Sequence, residues 1–271
     1  MNTAMLGLLA ETPIHPGTGR GLGVVDLPVA REAATDYPVL VGSSLKGALK
    51  DKTNPEQRDG PFGTPEHAGA LLVSDARLLL LPVRSLTGTY RWATCPHLIE
   101  RYRRDLSRAG LGPRPSIPHV DRHQTLAAGA DHLFLEERQF CIQGTPADDI
   151  ADSIRPLLLH PETQKRLSHQ VAVLDDDDFS WFVRYGLPIQ ARNKLADDTK
   201  QSQNLWYEET LPPDTVMYAL VMARDGTATN PLELLFSHDP YLQAGGNETV
   251  GHGWFAVSVR RAATEKPDEE R

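Results

Sequence analysis

An aspartate held between two apolar neighbours, Val25-Asp26-Leu27, is the residue of this chain best suited to chemistry. It follows a run in which every second position, Gly17, Gly19, Gly21 and Gly23, is glycine. Such a run is a loop and not a strand interior. An acid there has two readings, a cap on its own loop backbone or a group presented to a ligand, and the residues alone leave both open. A second glycine cluster spans Gly245–Gly253, and both clusters suit backbone that lies close to a phosphate or a neighbouring subunit, or plain turns. Ser43 and Ser44 are natural N-caps for a short helix with Leu45, Ala48 and Leu49 on its apolar side. The start of that helix presents N–H groups and a positive dipole end to a phosphate, and Lys46 and Lys50 add cations on one side. No phosphate-binding GxxxxGK or GxGxxG at a strand–helix junction is present. His119 and His123 read as surface loop, and Asp175–Asp178 as a solvated acidic loop. In Trp206-Tyr207-Glu208-Glu209, strand alternation puts Trp206 and Glu208 on one side, Tyr207 and Glu209 on the other.

These residues need a scaffold, and the chain is long enough to build one. Its 271 residues, 40% hydrophobic and 24% charged, are those of an ordinary globular protein. Two cysteines, Cys95 and Cys141, make neither a disulfide framework nor a metal knuckle. No stretch approaches the roughly 20 apolar residues of a membrane span, and no secretory signal is evident, so a cytoplasmic location is expected. The formal charge is −8, but nine arginines against three acids make residues 77–123 locally basic, enough for one face to take a polyanion.

Strands are expected at Met5–Ala10, Ala70–Val83 (bent near Ser74-Asp75), Gly88–Thr94, His132–Ile142, Val171–Leu174 and Gly253–Arg261. Leu205–Glu209 and Thr215–Ala223 are expected to form a hairpin around Pro212-Pro213-Asp214. Helices are expected at Pro96–Ala109, with a basic outer side, and at Asp148–Leu159, Pro161–Leu167 and Pro231–Phe236. The order is that of an α+β fold with antiparallel pairing. Residues 1–261 read as one domain with insertions at about 52–69, 110–131 and 187–204, and 262–271 as a charged, disordered tail.

Several blocks in order resemble one family. They are Thr12–Gly19, Leu22–Pro28, Gly42–Gly47, Phe62–Gly69, Ser74–Arg77, Pro82–Leu86, Leu205–Leu211 and Gly246–Gly253. Together they resemble the RAMP superfamily, in particular the repeated backbone subunit of type III-B CRISPR (Cmr) effector complexes, over nearly the whole chain. The resemblance implies a modified RRM-like (ferredoxin-like) palm with a β-hairpin thumb, for which 187–204 is the first candidate and 110–131 the alternative. It implies copies stacked head to tail along a guide RNA, with a large subunit, a small subunit and capping RAMP subunits as further partners. It implies target RNA cut at regular intervals where thumbs interrupt the guide–target duplex. Asp26 matches the loop aspartate required for cutting. His15 and Glu208 or Glu209 match positions that assist it, and Thr210 stands where relatives carry an aromatic. Arg84, Gly246, Gly251 and Gly253 fall in blocks associated with RNA, alongside Ser43, Ser44, Lys46 and Lys50.

The chemistry expected of such a site follows from RNA carrying its own nucleophile. A splayed nucleotide can align its 2′-hydroxyl with the adjacent phosphorus, leaving a 2′,3′-cyclic phosphate and a 5′-hydroxyl. A carboxylate is a poor general base near neutrality, so Asp26 is expected to be a ligand to Mg²⁺ or Mn²⁺, with His15 as a proton carrier. The rival readings are a non-catalytic RNA-binding filament subunit and a guide-processing RAMP endonuclease.

Overall fold

The computed structural model describes residues 2–21, 23–224 and 230–262. In chain order the strands and helices are β1 (Thr3–Ala10), β2 (Val39–Leu40), α1 (Gly42–Lys52), α2 (Asp59–Phe62), β3 (Leu71–Val73), β4 (Ala76–Arg84) and β5 (Tyr90–Thr94). There follow α3 (Pro96–Arg108), β6 (Gln124–Ala127), β7 (His132–Leu135), β8 (Arg138–Gly144), α4 (Asp148–Ile154), α5 (Pro161–Gln170), β9 (Val171–Leu174) and α6 (Asp176–Tyr185). The last are β10 (Ile189–Leu195), β11 (Ser202–Glu209), β12 (Val216–Ala223), α7 (Asn230–Phe236), β13 (Tyr241–Gln243) and β14 (Trp254–Arg261).

One large mixed sheet carries the fold, in the order β13-β14-β1-β12-β4-β5-β9-β6-β8-β7, with β2 on β4 and β3 on β12. The reason is legible in β1 and β12, which are apolar at nearly every position because both faces of the sheet are covered. Alternation assigns each residue to a side. Leu6, Leu8, Met217 and Ala219 enter one core, and Met5, Leu9, Val216 and Tyr218 enter the other. The helix α3 buries Leu98, Ile99, Tyr102 and Leu106, the apolar stripe its sequence shows. The expected bend at Ser74-Asp75 is the gap between β3 and β4, so the α+β expectation holds as a mixed fold with one dominant sheet. Among the described residues no helix is long and apolar enough to cross a membrane.

Several expectations need correction. Leu205–Glu209 does not pair with Thr215–Ala223: it belongs to β11, whose partner is β10, while β12 lies between β1 and β4. The 187–204 insertion is therefore a hairpin whose second strand runs to Glu209. The 110–131 insertion is not wholly irregular, since β6 sits inside the sheet between β9 and β8. His132–Ile142 is two strands turning at Glu136, whose φ is 48°. The 52–69 loop holds the short α2, with Phe62 buried. Neither Ser43 nor Ser44 caps α1; the helix begins at Gly42, whose N–H donates to Asp75 Oδ1 at 2.7 Å. The acidic run is not a solvated loop. Asp175 caps α6 by accepting from the Asp177 N–H, and Asp176 accepts the His97 N–H at the start of α3. Asp178 is buried against Arg138 at 2.8 Å. The basic character of residues 77–123 is answered in part by acids: Arg77 meets Asp105 within the segment, while Arg84 meets Glu136 and Arg101 meets Glu32 outside it. The tail from residue 263 onward and Leu22 lie outside the described residues.

Candidate functional site

The loop after β1 is stitched to two other segments. Ile14 and Leu211 exchange backbone hydrogen bonds, and the Gly246 N–H donates to the His15 carbonyl at 2.8 Å. Farther on, Leu27 runs parallel to the end of β11: its N–H donates to Tyr207 O and its carbonyl accepts the Glu209 N–H. The aspartate is thus built onto the foot of the β10–β11 hairpin. Its Oδ2 accepts the Tyr207 N–H at 2.8 Å, and Oδ1 has no partner among the described residues. Asp26 does not cap its own loop; it is exposed and bonded to a different segment.

Asp26 opens on a cleft of about 290 Å³ lined by Arg20, Leu27, Asn204, Leu205, Trp206 and Glu208. Glu208 faces it but is spoken for. Its Oε1 accepts the Trp206 indole N–H at 2.7 Å, and its Oε2 accepts from Arg192 Nε at 3.1 Å and Asn247 Nδ2 at 2.8 Å. Burial pushes this carboxyl up; the hydrogen bonds from Trp206 and Arg192, the charge of Arg192 and the Asn247 amide outweigh it and hold Glu208 below the usual carboxylate value. Glu209 points the other way, as alternation requires, and binds the Val29 N–H at 3.0 Å and Arg31 at 2.7 Å.

His15 belongs to a neighbouring cleft of about 280 Å³, separated from the first by Leu27, which lines both. Its Nδ1 lies 2.8 Å from the Glu209 carbonyl, which can only accept, so Nδ1 carries the proton and Nε2 of the neutral ring is the acceptor. Gly17 and Gly246 pack on the ring so closely that an added Cβ would stand 2.7 Å from Nε2 and 3.1 Å from Cδ2, respectively. The same cleft includes Ser44, and with it the first turn of α1, whose early N–H groups have no preceding helix carbonyl. Of the expected RNA-binding residues, the structure brings Ser44 and Gly246 to His15 and keeps Lys46 partly exposed one turn along α1. Ser43 is exposed in the first turn of the same helix. Lys50 is engaged elsewhere, with Asp59 at 3.0 Å and the Gly63 carbonyl. Arg84 lies at the end of β4, forked onto Glu136. Gly253, with φ 87°, abuts the Ala244 carbonyl, so its conformation serves the chain's own turn. Gly251, with φ 82°, ends a single helical turn over Glu248–Val250.

Sequence reasoning missed Arg192, Asn247 and His252. Arg192 stands opposite Trp206 in the hairpin, diagonal to Glu208, so cross-strand charge complementarity would have found it had the pairing been right. The residues fit a divalent ion only in an open form. No three His, Cys, Asp or Glu groups converge so as to hold a metal ion among the described residues, and Asp26 is the carboxylate in the cleft with an unengaged oxygen. One carboxylate supplemented by substrate phosphates and water is the usual manner of holding Mg²⁺.

The RAMP superfamily pattern matches residues 8–256. The CRISPR system Cmr endoribonuclease Cmr4 of Pyrococcus furiosus is 34% identical over 286 residues, spanning 96% of each chain. The crystal structure of oligomeric Cmr4 from the same organism superposes with a TM-score of 0.76 at 30% identity, covering 97% of this chain and 99% of that one. The cryo-EM structure of the type III-B Cmr-beta complex bound to cognate target RNA shares the fold, with a TM-score of 0.76 at 21% identity over 96% and 97% of the two chains. The chain belongs to the RAMP superfamily and, within it, to the family of the Cmr4 subunits.

Proposed function

We propose that this chain is a guide-RNA-binding backbone subunit of a type III-B CRISPR effector complex and that it cuts the paired target RNA at regular intervals. It works in the cytoplasm, stacked head to tail with further copies and joined by the large, small and capping RAMP subunits. β14, β1, β12 and β4 with their helices are the RRM-like palm, and the β10–β11 hairpin is the thumb.

The observation that carries this reading is the Asp26 carboxylate: exposed, built onto the foot of the hairpin, one oxygen held by the Tyr207 amide and the other unengaged. A hairpin that splays a target nucleotide delivers the bent phosphodiester to the cleft at its base. In-line alignment of the 2′-hydroxyl with the adjacent phosphorus is most of the catalysis such a site must supply. Arg20, on the same cleft, offers a cation to the phosphate, and the Tyr207 amide fixes the direction in which Asp26 points. A Mg²⁺ or Mn²⁺ ion held by Asp26 would neutralise charge on the phosphate and lower the cost of ionising the attacking hydroxyl. His15 lines the adjoining cleft with its Nδ1 on the Glu209 carbonyl and Nε2 left over, placed to exchange a proton or to hold the loop against Glu209.

The test is Asp26→Ala and Asp26→Asn in the assembled complex. Both should keep guide loading and target binding and lose the ladder of evenly spaced target fragments, with rates down at least about a hundredfold, the scale of removing a positioned electrostatic group. Undiminished cutting would leave a passive scaffold.

A further inference from the structure

Glu208 is buried, and the groups that reach its two oxygens come from three segments: Trp206 on β11, Arg192 on β10 and Asn247 in the loop before β14. Arg192 does more than pair with it. While Nε meets Glu208, Nη2 reaches His252 Nε2 at 3.4 Å. A guanidinium has donors only, so His252 Nε2 is the acceptor and its ring is neutral, with the proton on Nδ1. That Nδ1 is buried and has no partner among the described residues. Burial, then the charge of Arg192, push the His252 pKa down; Glu208 from β11 pulls it up, and His15 from the loop after β1 pushes it down again. A protonated His252 would set N–H against N–H and cation against cation, so the seat of Arg192 exists only while this histidine is neutral.

What this clamp fixes is not Glu208 alone. The residue before Glu208, Tyr207, carries the N–H that holds Asp26 Oδ2, and Leu27, next to Asp26, pairs alongside Glu208 through the Tyr207 carbonyl and the Glu209 N–H. A shift at Glu208 therefore moves the catalytic carboxylate directly. We infer that Arg192 is a positioning residue for target cleavage: seated between the Glu208 carboxylate and a neutral His252, it fixes the Tyr207–Glu208 segment whose amide holds Asp26. The inference rests on the nuclease reading of Asp26.

The experiment compares complexes assembled with wild-type, Asp26→Ala, Arg192→Gln, Arg192→Lys and His252→Gln subunits. Single-turnover cleavage of a guide-matched RNA is followed across pH, and target affinity across salt. Arg192→Gln should slow cleavage about tenfold or more, the cost of a misplaced reacting group, with target affinity and its salt dependence as in wild type. Arg192→Lys should remain slow, because a point ammonium does not reproduce the planar fork between two acceptors. His252→Gln keeps an acceptor near the Nε2 position but does not titrate, so its rate should fall less steeply than wild type as pH is lowered below the ordinary histidine range, since burial and Arg192 hold His252 below it. A wild-type rate in Arg192→Gln overturns the positioning role and leaves the nuclease intact. Weaker binding with a shallower salt slope also overturns it, since that marks a direct phosphate contact. Should Arg192→Gln not assemble, an acid limb in His252→Gln identical to wild type overturns it. A wild-type complex that makes no cuts, or an Asp26→Ala complex that cuts normally, overturns the nuclease reading and this inference with it.

Discussion

At the scale of single residues, the site separates carboxylates whose oxygens are all engaged in structure from the one with an oxygen to spare. Glu208 and Glu209 are adjacent in sequence, yet strand alternation sends one to Arg192, Trp206 and Asn247 and the other to Arg31 and the Val29 amide. Both are spent on binding the hairpin foot to the loops after β1 and before β14, and Asp26 keeps an oxygen unengaged. The pH dependence of that foot follows from Glu208. Its folded-state value lies below its unfolded one, so its stabilisation is complete above the ordinary carboxylate range and is lost as pH falls through the lowered value. Glu208→Gln should cost about 1.5–3 kcal/mol at neutral pH, the scale of a hydrogen bond to a charged group. In a series of thermal melts against pH, the gap between variant and wild type should close in acid. A gap that persists unchanged at the lowest pH would mean that the carboxylate's charge stabilises nothing.

At the scale of elements, the helix that presents Ser44 and Lys46 is started from outside itself. Asp75, in the bend between β3 and β4, accepts the Gly42 N–H in place of a local cap. Asp75→Ala should lower stability by about 1 kcal/mol, the worth of an N-cap, read as a shifted urea midpoint at constant slope. An unmoved midpoint would show that water serves the amide equally well. This cap also marks the limit of what the sequence shows. Elements defined by their own local pattern, such as β1, α3 and β14, are legible because an apolar run bounded by turn residues or a helical stripe is a local property. Pairing is not local. The turn at Pro212-Pro213-Asp214 is real, yet the strands on either side of it go to different partners, because β12 is buried on both faces and must take β1 and β4 as neighbours. The same holds for Asp175–Asp178, whose composition suggests solvent while two of the four are used by helix starts and one, itself buried, by Arg138. In the site, Asp26 was legible from its apolar flanks and glycine loop, and the Trp206–Glu208 contact from alternation. Arg192 and His252 were not, since their meeting depends on a hairpin register and a returning loop.

At the scale of the whole molecule, the proposed function asks a chain of net charge −8 to bind a polyanion, and its total offers no help. Charges farther apart than about 8 Å are largely screened at physiological salt, so the sum matters less than the groups that touch the RNA. Six of the nine arginines of the basic segment are already paired with acids, which removes them from the account. What remains on the palm beside the His15 cleft is the first turn of α1 and Lys46, with Lys50 on the same helix but bound to Asp59 and the Gly63 carbonyl. The two lysines are four apart and chemically identical, so they form an internal control. Lys46→Ala should weaken guide RNA binding by a similar factor for every guide sequence and make the plot of log affinity against log salt shallower by about 0.7, the contribution of one contact to a single strand. Lys50→Ala should leave that slope alone and lower stability, because it removes a tie between α1 and α2. Equal slopes for both variants would mean that the guide does not run past this helix, and the phosphate contacts would then have to be sought on the hairpin.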